Sequence, residues 1–204
     1  MKKIILALVV LGIVIVLFFV FKSPTKITNF PATGKTIVAF GDSLVEGAGA
    51  TSGKDFVSLL SKKIGQPILN FGISGETSRE GLARVNSVNQ EDPKIVILLF
   101  GGNDFLKKVP IDETFENIDE LVRELQSEGA VVIILGVRGG VLSDHFDERF
   151  EKVAKNRGAL YVSDVLDGLL AHNEFMSDGI HPNDLGYEKI AQRVLPLLQK
   201  ALSK

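Results

Sequence analysis

The sequence predicts an α/β domain, a three-layer sandwich in which helices cover both faces of a five-stranded parallel sheet, with one apolar helix ahead of it. Three observations lead there. Short runs that are apolar after their first residue, such as Thr36–Phe40 and Lys94–Phe100 (KIVILLF), read as strands buried on both faces. They alternate with longer amphipathic stretches such as Ile111–Glu128, which carries Phe115, Ile118, Leu121, Val122 and Leu125 on one helical face. The first three strands each run into glycine, at Gly41, at Gly72 and at Gly101-Gly102, where the backbone must turn and chemistry in such sheets gathers.

The chain has 204 residues, room for one domain and a short extra segment. Ile4–Phe21 carries no charge or strong polar group and would span about 27 Å as a helix, close to the hydrocarbon thickness of a bilayer. Lys2 and Lys3 precede it and Lys22 follows. It is longer than the apolar core of a cleavable signal and ends in Phe18, Phe19 and Phe21 without a small-residue site, so residues 1–22 are expected to be an uncleaved membrane anchor. Ser23–Thr33, polar with two prolines, reads as a tether, giving a linker over 23–34 and a domain over 35–204. Four of the 23 basic residues lie in residues 1–26 and all 25 acidic ones lie beyond, so the domain is acidic and offers no nucleic-acid surface. With no cysteine, lipidation at a thiol, a disulfide framework and a thiolate metal site are excluded.

Along the domain, Thr36–Phe40 is followed by a helical pattern over Lys54–Ile64 closed by Gly65, and then by a strand over Pro67–Phe71. Thr77 and Glu80 have the spacing of a capping box for the next helix. The third strand, Lys94–Phe100, leads through Gly101-Gly102-Asn103-Asp104 to the helix at Ile111–Glu128. A strand over Ala130–Val137, a charged helix over Asp144–Asn156, a short strand at Leu160–Val162 and a closing helix over Gly186–Leu202 complete the alternation.

Three strand-end stretches carry candidate chemistry, each with a simpler reading. Asp42 or Ser43 is a natural helix cap, Gly101–Asp104 a natural tight turn, and Pro182-Asn183 an ordinary helix start. Together they supply more. Serine becomes a nucleophile only when an imidazole takes its proton, and the imidazole needs a carboxylate to fix its tautomer. Of three histidines, His145 sits among charges and His172 has no patterned neighbours, whereas His181 stands three residues after Asp178. Ser43, Asp178 and His181 are therefore the candidate triad. The Ser43 N–H, an N–H of the glycine turn after Asn70 and the Asn103 amide are candidate donors to an oxyanion. No G-x-S-x-G elbow is present, which argues against a standard α/β-hydrolase.

Four blocks in order resemble the SGNH hydrolases, the GDSL esterases and lipases: Gly41-Asp-Ser-Leu44, Asn70–Thr77, Gly101-Gly-Asn-Asp104 and Asp178-x-x-His181. Through GETSREGLAR at 75–84 and GGNDFL at 101–106 the chain is most similar to the thioesterase I, lysophospholipase L1 and arylesterase branch, although Glu76 stands where that branch has Asp. The resemblance implies a flavodoxin-like build and an acyl-serine intermediate formed without metal or cofactor. By position it implies Ser43 as nucleophile, Asp178 and His181 as its partners, and Ser43, Gly75 and Asn103 as the oxyanion hole. It also places Phe105 and Leu106 in the loop bordering the acyl site. The expected substrate is a small acyl ester, thioester or lysophospholipid, and the expected state is a monomer with its domain on the outer face of the membrane, periplasmic or at the cell surface. Two alternatives are a carbohydrate O-acetylesterase using the same residues and a non-catalytic flavodoxin-like module holding a nucleotide or phosphate, for which Gly47-x-Gly49 is the only cue and Asp178 and His181 have no role.

Overall fold

A computed structural model describes residues 26–138 and 145–203. The expected anchor over residues 1–22, the first residues of the tether and Asp144 lie outside the described residues. Among those described, no helix is long and apolar enough to cross a membrane.

Five strands, β1 (Thr36–Gly41), β2 (Leu69–Gly72), β3 (Pro93–Leu99), β4 (Val131–Leu135) and β5 (Leu160–Val162), form one sheet in the order β2-β1-β3-β4-β5. Every pairing is parallel. β4 is buried throughout, and β1 and β3 nearly so, as their unbroken Val, Ile and Leu runs require when helices cover both faces. The helices are α1 (Ser43–Glu46), α2 (Phe56–Ile64), α3 (Ser78–Ala83), α4 (Val85–Asn89), α5 (Gly102–Leu106), α6 (Ile111–Ser127), α7 (Phe146–Arg157) and α8 (Asp184–Leu202). α2 packs on α8, while α3, α4 and α7 gather around α6. The capping box forms at α3, where Glu80 Oε2 accepts from the Thr77 N–H at 2.7 Å and Thr77 Oγ1 from the Glu80 N–H at 3.5 Å.

With β1 flanked by β2 on one side and β3 on the other, the chain leaves the sheet in opposite directions after these two central strands. That switch opens a crevice at their carboxyl ends. The opposite edge of the sheet receives the N-terminal segment. There Ile27 and Ala32 pack against the core, the Thr28 N–H donates to the Gly158 carbonyl at 2.9 Å, and Asn29 Nδ2 donates to the carbonyls of Gln126 (2.7 Å) and Ala130 (3.0 Å). Residues 27–32, expected to be part of the tether, are thus seated on the domain.

Candidate active site

β1 delivers Ser43 to the crevice. Asp42 is the residue that caps α1, its Oδ1 accepting from the Leu44 N–H at 3.0 Å, so the capping role falls to Asp42 and the neighbouring hydroxyl is left for other work. The Ser43 N–H lies in the first turn of the helix, where no preceding carbonyl can reach it. The end of β2 fits closely against this turn, since a Cβ on Gly72 would lie 2.0 Å from the Glu46 nitrogen.

His181 arrives from the far end of the chain on a small hairpin. Met176 bridges Pro182, the Ser177 N–H donates to the His181 carbonyl at 2.9 Å, and the Asn183 N–H to that of Phe175 at 2.9 Å. Asn183 then caps α8 through Oδ1, which accepts from Leu185 and Gly186. The hairpin lies on the loop after α1 because residue 49 is glycine: φ is +89°, and a Cβ there would stand 2.2 Å from Ser177 Oγ and 2.6 Å from the Pro182 carbonyl oxygen. Tyr187 Oη, donating to the Ala48 carbonyl at 2.8 Å, and the Thr51 N–H, donating to Asp184 Oδ1 at 2.7 Å, fasten the same two segments.

The result is a continuous chain of hydrogen bonds. Asp178 Oδ1 accepts from the N–H groups of Ile180 (2.8 Å) and His181 (2.7 Å), and its Oδ2 lies 2.8 Å from His181 Nδ1. A carboxylate can only accept, so Nδ1 carries the proton and Nε2 presents a lone pair. Nε2 is 3.0 Å from Ser43 Oγ, close enough to take its proton. Ser74, the other serine in a glycine-rich strand end, donates instead to the Glu46 carboxylate and has no imidazole beside it.

Asn103 sits in α5 immediately beyond β3. Its Nδ2 donates to the Glu76 carbonyl at 3.0 Å and to Asp42 Oδ2 at 3.3 Å, so the amide bridges the ends of all three strand-end turns. Gly75 adopts φ +82°, and its carbonyl accepts from Lys107 Nζ at 2.8 Å. Among the described residues the N–H groups of Ser43 and Gly75 donate no hydrogen bond within the chain. The turn that bears Gly75 is held on both flanks. Asp104, fully buried, accepts from the Ser78 N–H (2.8 Å) and Ser78 Oγ (2.5 Å). Arg84 pairs through Nε with Glu76 at 2.7 Å, donates through Nη2 to the carbonyls of Phe71 (2.9 Å) and Gly41 (3.3 Å), and lies over the Phe40 ring. One guanidinium therefore ties the ends of β1 and β2 to the Gly75 turn.

Two carboxyl groups here are displaced in opposite directions. Burial pushes Asp42 up to about 7, helped by the charge of Asp104 and opposed by the Leu44 N–H and by His181. The bond from His181, with the two backbone N–H groups behind it, holds Asp178 down at about 2, so it stays ionised across any ordinary working pH.

The serine opens into a cleft of about 140 Å³ whose wall includes Asn103, Phe105, Leu106, Leu170, Ile180 and His181. Seven large hydrophobic side chains stand exposed among the described residues, and four of them, Phe105, Leu106, Leu170 and Ile180, are on this wall. The structure thus brings Ser43, Asn103, Phe105, Leu106 and His181 to one cleft and sets Asp178 behind the histidine. Gly75 is on the adjoining turn and not on the wall. His145 precedes α7 in solvent beside Glu148 and His172 packs beside Phe175, both away from the cleft. Sequence reasoning misses Arg84, Leu170 and Ile180, and reaches Asp42 only as a helix cap. Asp42 and Ile180 had a signal in their adjacency to Ser43 and His181, while Arg84 and Leu170 had none.

Comparison with known proteins gives a consistent picture. A model described as the GDSL-like Lipase/Acylhydrolase family matches residues 39–189. The arylesterase of Vibrio mimicus is 28% identical over 200 residues, covering 92% of this chain and 97% of that protein. Thioesterase 1/protease 1/lysophospholipase L1 of Escherichia coli K12 is 27% identical over 161 residues, 74% of this chain and 77% of that one. Among solved structures, the crystal structure of TesA superposes with a TM-score of 0.76 at 28% identity, covering 82% of this chain and all of its own.

Proposed function

Because the chain belongs to the GDSL-like lipase/acylhydrolase family, we propose that Ser43, His181 and Asp178 carry out its serine ester hydrolysis, on carboxylic esters or thioesters with apolar acyl groups. The observation that carries this is the unbroken run from Ser43 Oγ to His181 Nε2 (3.0 Å) and from Nδ1 to Asp178 (2.8 Å) at the foot of an apolar-rimmed cleft.

In the first half-reaction Ser43 Oγ attacks the acyl carbonyl as its proton passes to His181 Nε2, and Asp178 stabilises the imidazolium. The oxyanion is met by the idle N–H groups of Ser43 and Gly75 and by the Asn103 N–H now spent on the longer bond to Asp42. Collapse expels the alcohol or thiol, which takes the proton from His181. Water then repeats the sequence on the acyl-serine and frees the acid. Phe105, Leu106, Leu170 and Ile180 supply the surface for the acyl chain. The names of the relatives support arylesters, thioesters and lysophospholipids as substrates. The apolar wall favours these over acetylated carbohydrate.

The reading includes a single N-terminal anchor over residues 1–22, supported by the apolar run Ile4–Phe21, with a monomeric domain outside the cytoplasm. Hydrolysis of short acyl nitrophenyl esters and labelling by a soluble fluorophosphonate test the chemistry together. Ser43→Ala is expected to abolish both and Ser74→Ala neither. Label that survives the first change and vanishes in the second would move the nucleophile to residue 74.

A further inference from the structure

The two ends of the sheet hold different things, and the short distance between anchor and domain turns that into a statement about substrate. All five strands are parallel, so their carboxyl ends share one edge and their amino ends the other. Ser43 and Asn103 follow β1 and β3 at the carboxyl edge. Thr28 and Asn29 are bonded at the amino edge, to Arg157 and Gly158 just before β5 and to Gln126 and Ala130 just before β4. Between the last apolar residue, Phe21, and the seated Ile27 there are only Lys22–Lys26. Phe21 and Ile27 are six Cα steps apart, so whatever path the chain takes between them it reaches at most about 22 Å.

A domain of this length has a radius of gyration of about 16 Å and hence a diameter of about 40 Å. For the cleft to face the bilayer, the amino edge would have to stand off by roughly that diameter, nearly twice the reach of the tether.

We infer that, in the anchored protein, the cleft opens away from the membrane that holds residues 4–21, so that it takes acyl esters and thioesters arriving through water and not lipids of its own bilayer. This rests on the anchor and on the Ser43 chemistry proposed above. It adds that a lysophospholipid is reached only after leaving that bilayer, and that the apolar rim of Phe105, Leu106, Leu170 and Ile180 serves the acyl chain of a dispersed substrate and not docking on the adjacent lipid.

The test uses the full chain in dilute phosphatidylcholine vesicles carrying a fluorophosphonate joined by a short linker to a phosphatidylethanolamine headgroup. A second full chain carries a 20-residue Gly/Ser insertion after Lys22, enough for the domain to turn over. Each labelling rate is divided by that protein's rate with a soluble fluorophosphonate. The natural chain is expected to react with the displayed probe at least about 10-fold more slowly than the lengthened one, and equally with the soluble probe. Equal rates with the displayed probe overturn the inference. Failure of the chain to float with the vesicles overturns it through the anchor, and failure of the soluble probe to label Ser43 overturns it through the chemistry, so the causes are told apart.

Discussion

The two regions that meet at Ser43 are built on opposite principles. Beyond the carboxyl ends of β1, β2 and β3, Asp42, Ser78 and Asp104 are buried, and each finds its partner within the protein. The hairpin that supplies Asp178 and His181 lies at the surface, with the Asp178 side chain 55% exposed. The same residue type is driven up to about 7 in one region and down to about 2 in the other. Burial decides the first and hydrogen bonds to the charged form decide the second. The carboxylate proposed to balance an imidazolium is kept charged by exposure and three donors. The buried one works through shape and contact, where its charge is a liability.

The sharpest way to break this comparison is at the junction itself. His181→Ala removes the only imidazole in the cleft and is expected to lower kcat by about 10⁵- to 10⁶-fold, with the fold intact because the hairpin is held by backbone bonds at 175, 177 and 183. Retention of turnover in that variant, with loss in His172→Ala, would transfer the role of base. The next effect belongs to Asp178→Asn. Asparagine can keep accepting from the Ile180 and His181 N–H groups but offers an N–H where Oδ2 stood, selecting the tautomer with Nε2 protonated towards Ser43. A loss of about 10³- to 10⁴-fold in kcat is expected, and an asparagine variant as active as the parent would deny Asp178 its orienting role.

How far the sequence revealed this arrangement depends on the range of the interactions. KIVILLF at 94–100 and the amphipathic run from Ile111 identify their elements because the signal is local and long, and the structure follows them to within two residues, as Pro93–Leu99 and Ile111–Ser127. α1, α4 and α5, of four or five residues, are shorter than two turns and display no period, so Gly101–Asp104 reads as a turn where the chain forms Gly102–Leu106. His181 is legible because histidine is scarce and Asp178 is near. Arg84 is not, since its key acceptors are backbone carbonyls 43 and 13 residues away, brought to it only by the closing of the sheet. The opposite charge environments of Asp42 and Asp178 are likewise tertiary, for both look like aspartates beside a turn.

Asn103 tests the buried side of the comparison. Its amide is the one proposed oxyanion donor that substitution removes without touching the backbone, and a donor aimed at developing charge gains strength as the carbonyl becomes tetrahedral. Asn103→Ala is expected to cut kcat by about 10²- to 10³-fold with a much smaller change in KM. Because the same amide also bridges Glu76 and Asp42, a modest fall in Tm should accompany it. A fall in Tm with kcat unchanged would leave Asn103 a purely structural bridge.

The smallest effect on turnover, and the cleanest contrast, is expected from Asp42→Asn. Asparagine retains the cap to the Leu44 N–H through its carbonyl and removes the buried charge, while Asn103 gives up its long bond to residue 42 and keeps the one to the Glu76 carbonyl. Burial raises the native pKa from 3.8 to about 7, so the folded protein holds a proton that the unfolded chain releases near pH 4. The associated stability is fully present below the unfolded value and is lost as pH rises through about 7, by at most about 4 kcal/mol for a shift of this size. The variant has no such proton to lose. Its Tm relative to the parent should therefore climb between pH 4 and pH 8, while kcat above pH 7 falls by less than about 10-fold. Asp178 gives the mirror image, its contribution being present above about pH 4 and lost only as pH falls towards 2, so Asp178→Asn should leave the Tm difference flat over the same range. A Tm difference for Asp42→Asn that does not move between pH 4 and pH 8 would mean that the buried carboxyl is ionised throughout, and that burial does not separate the two aspartates.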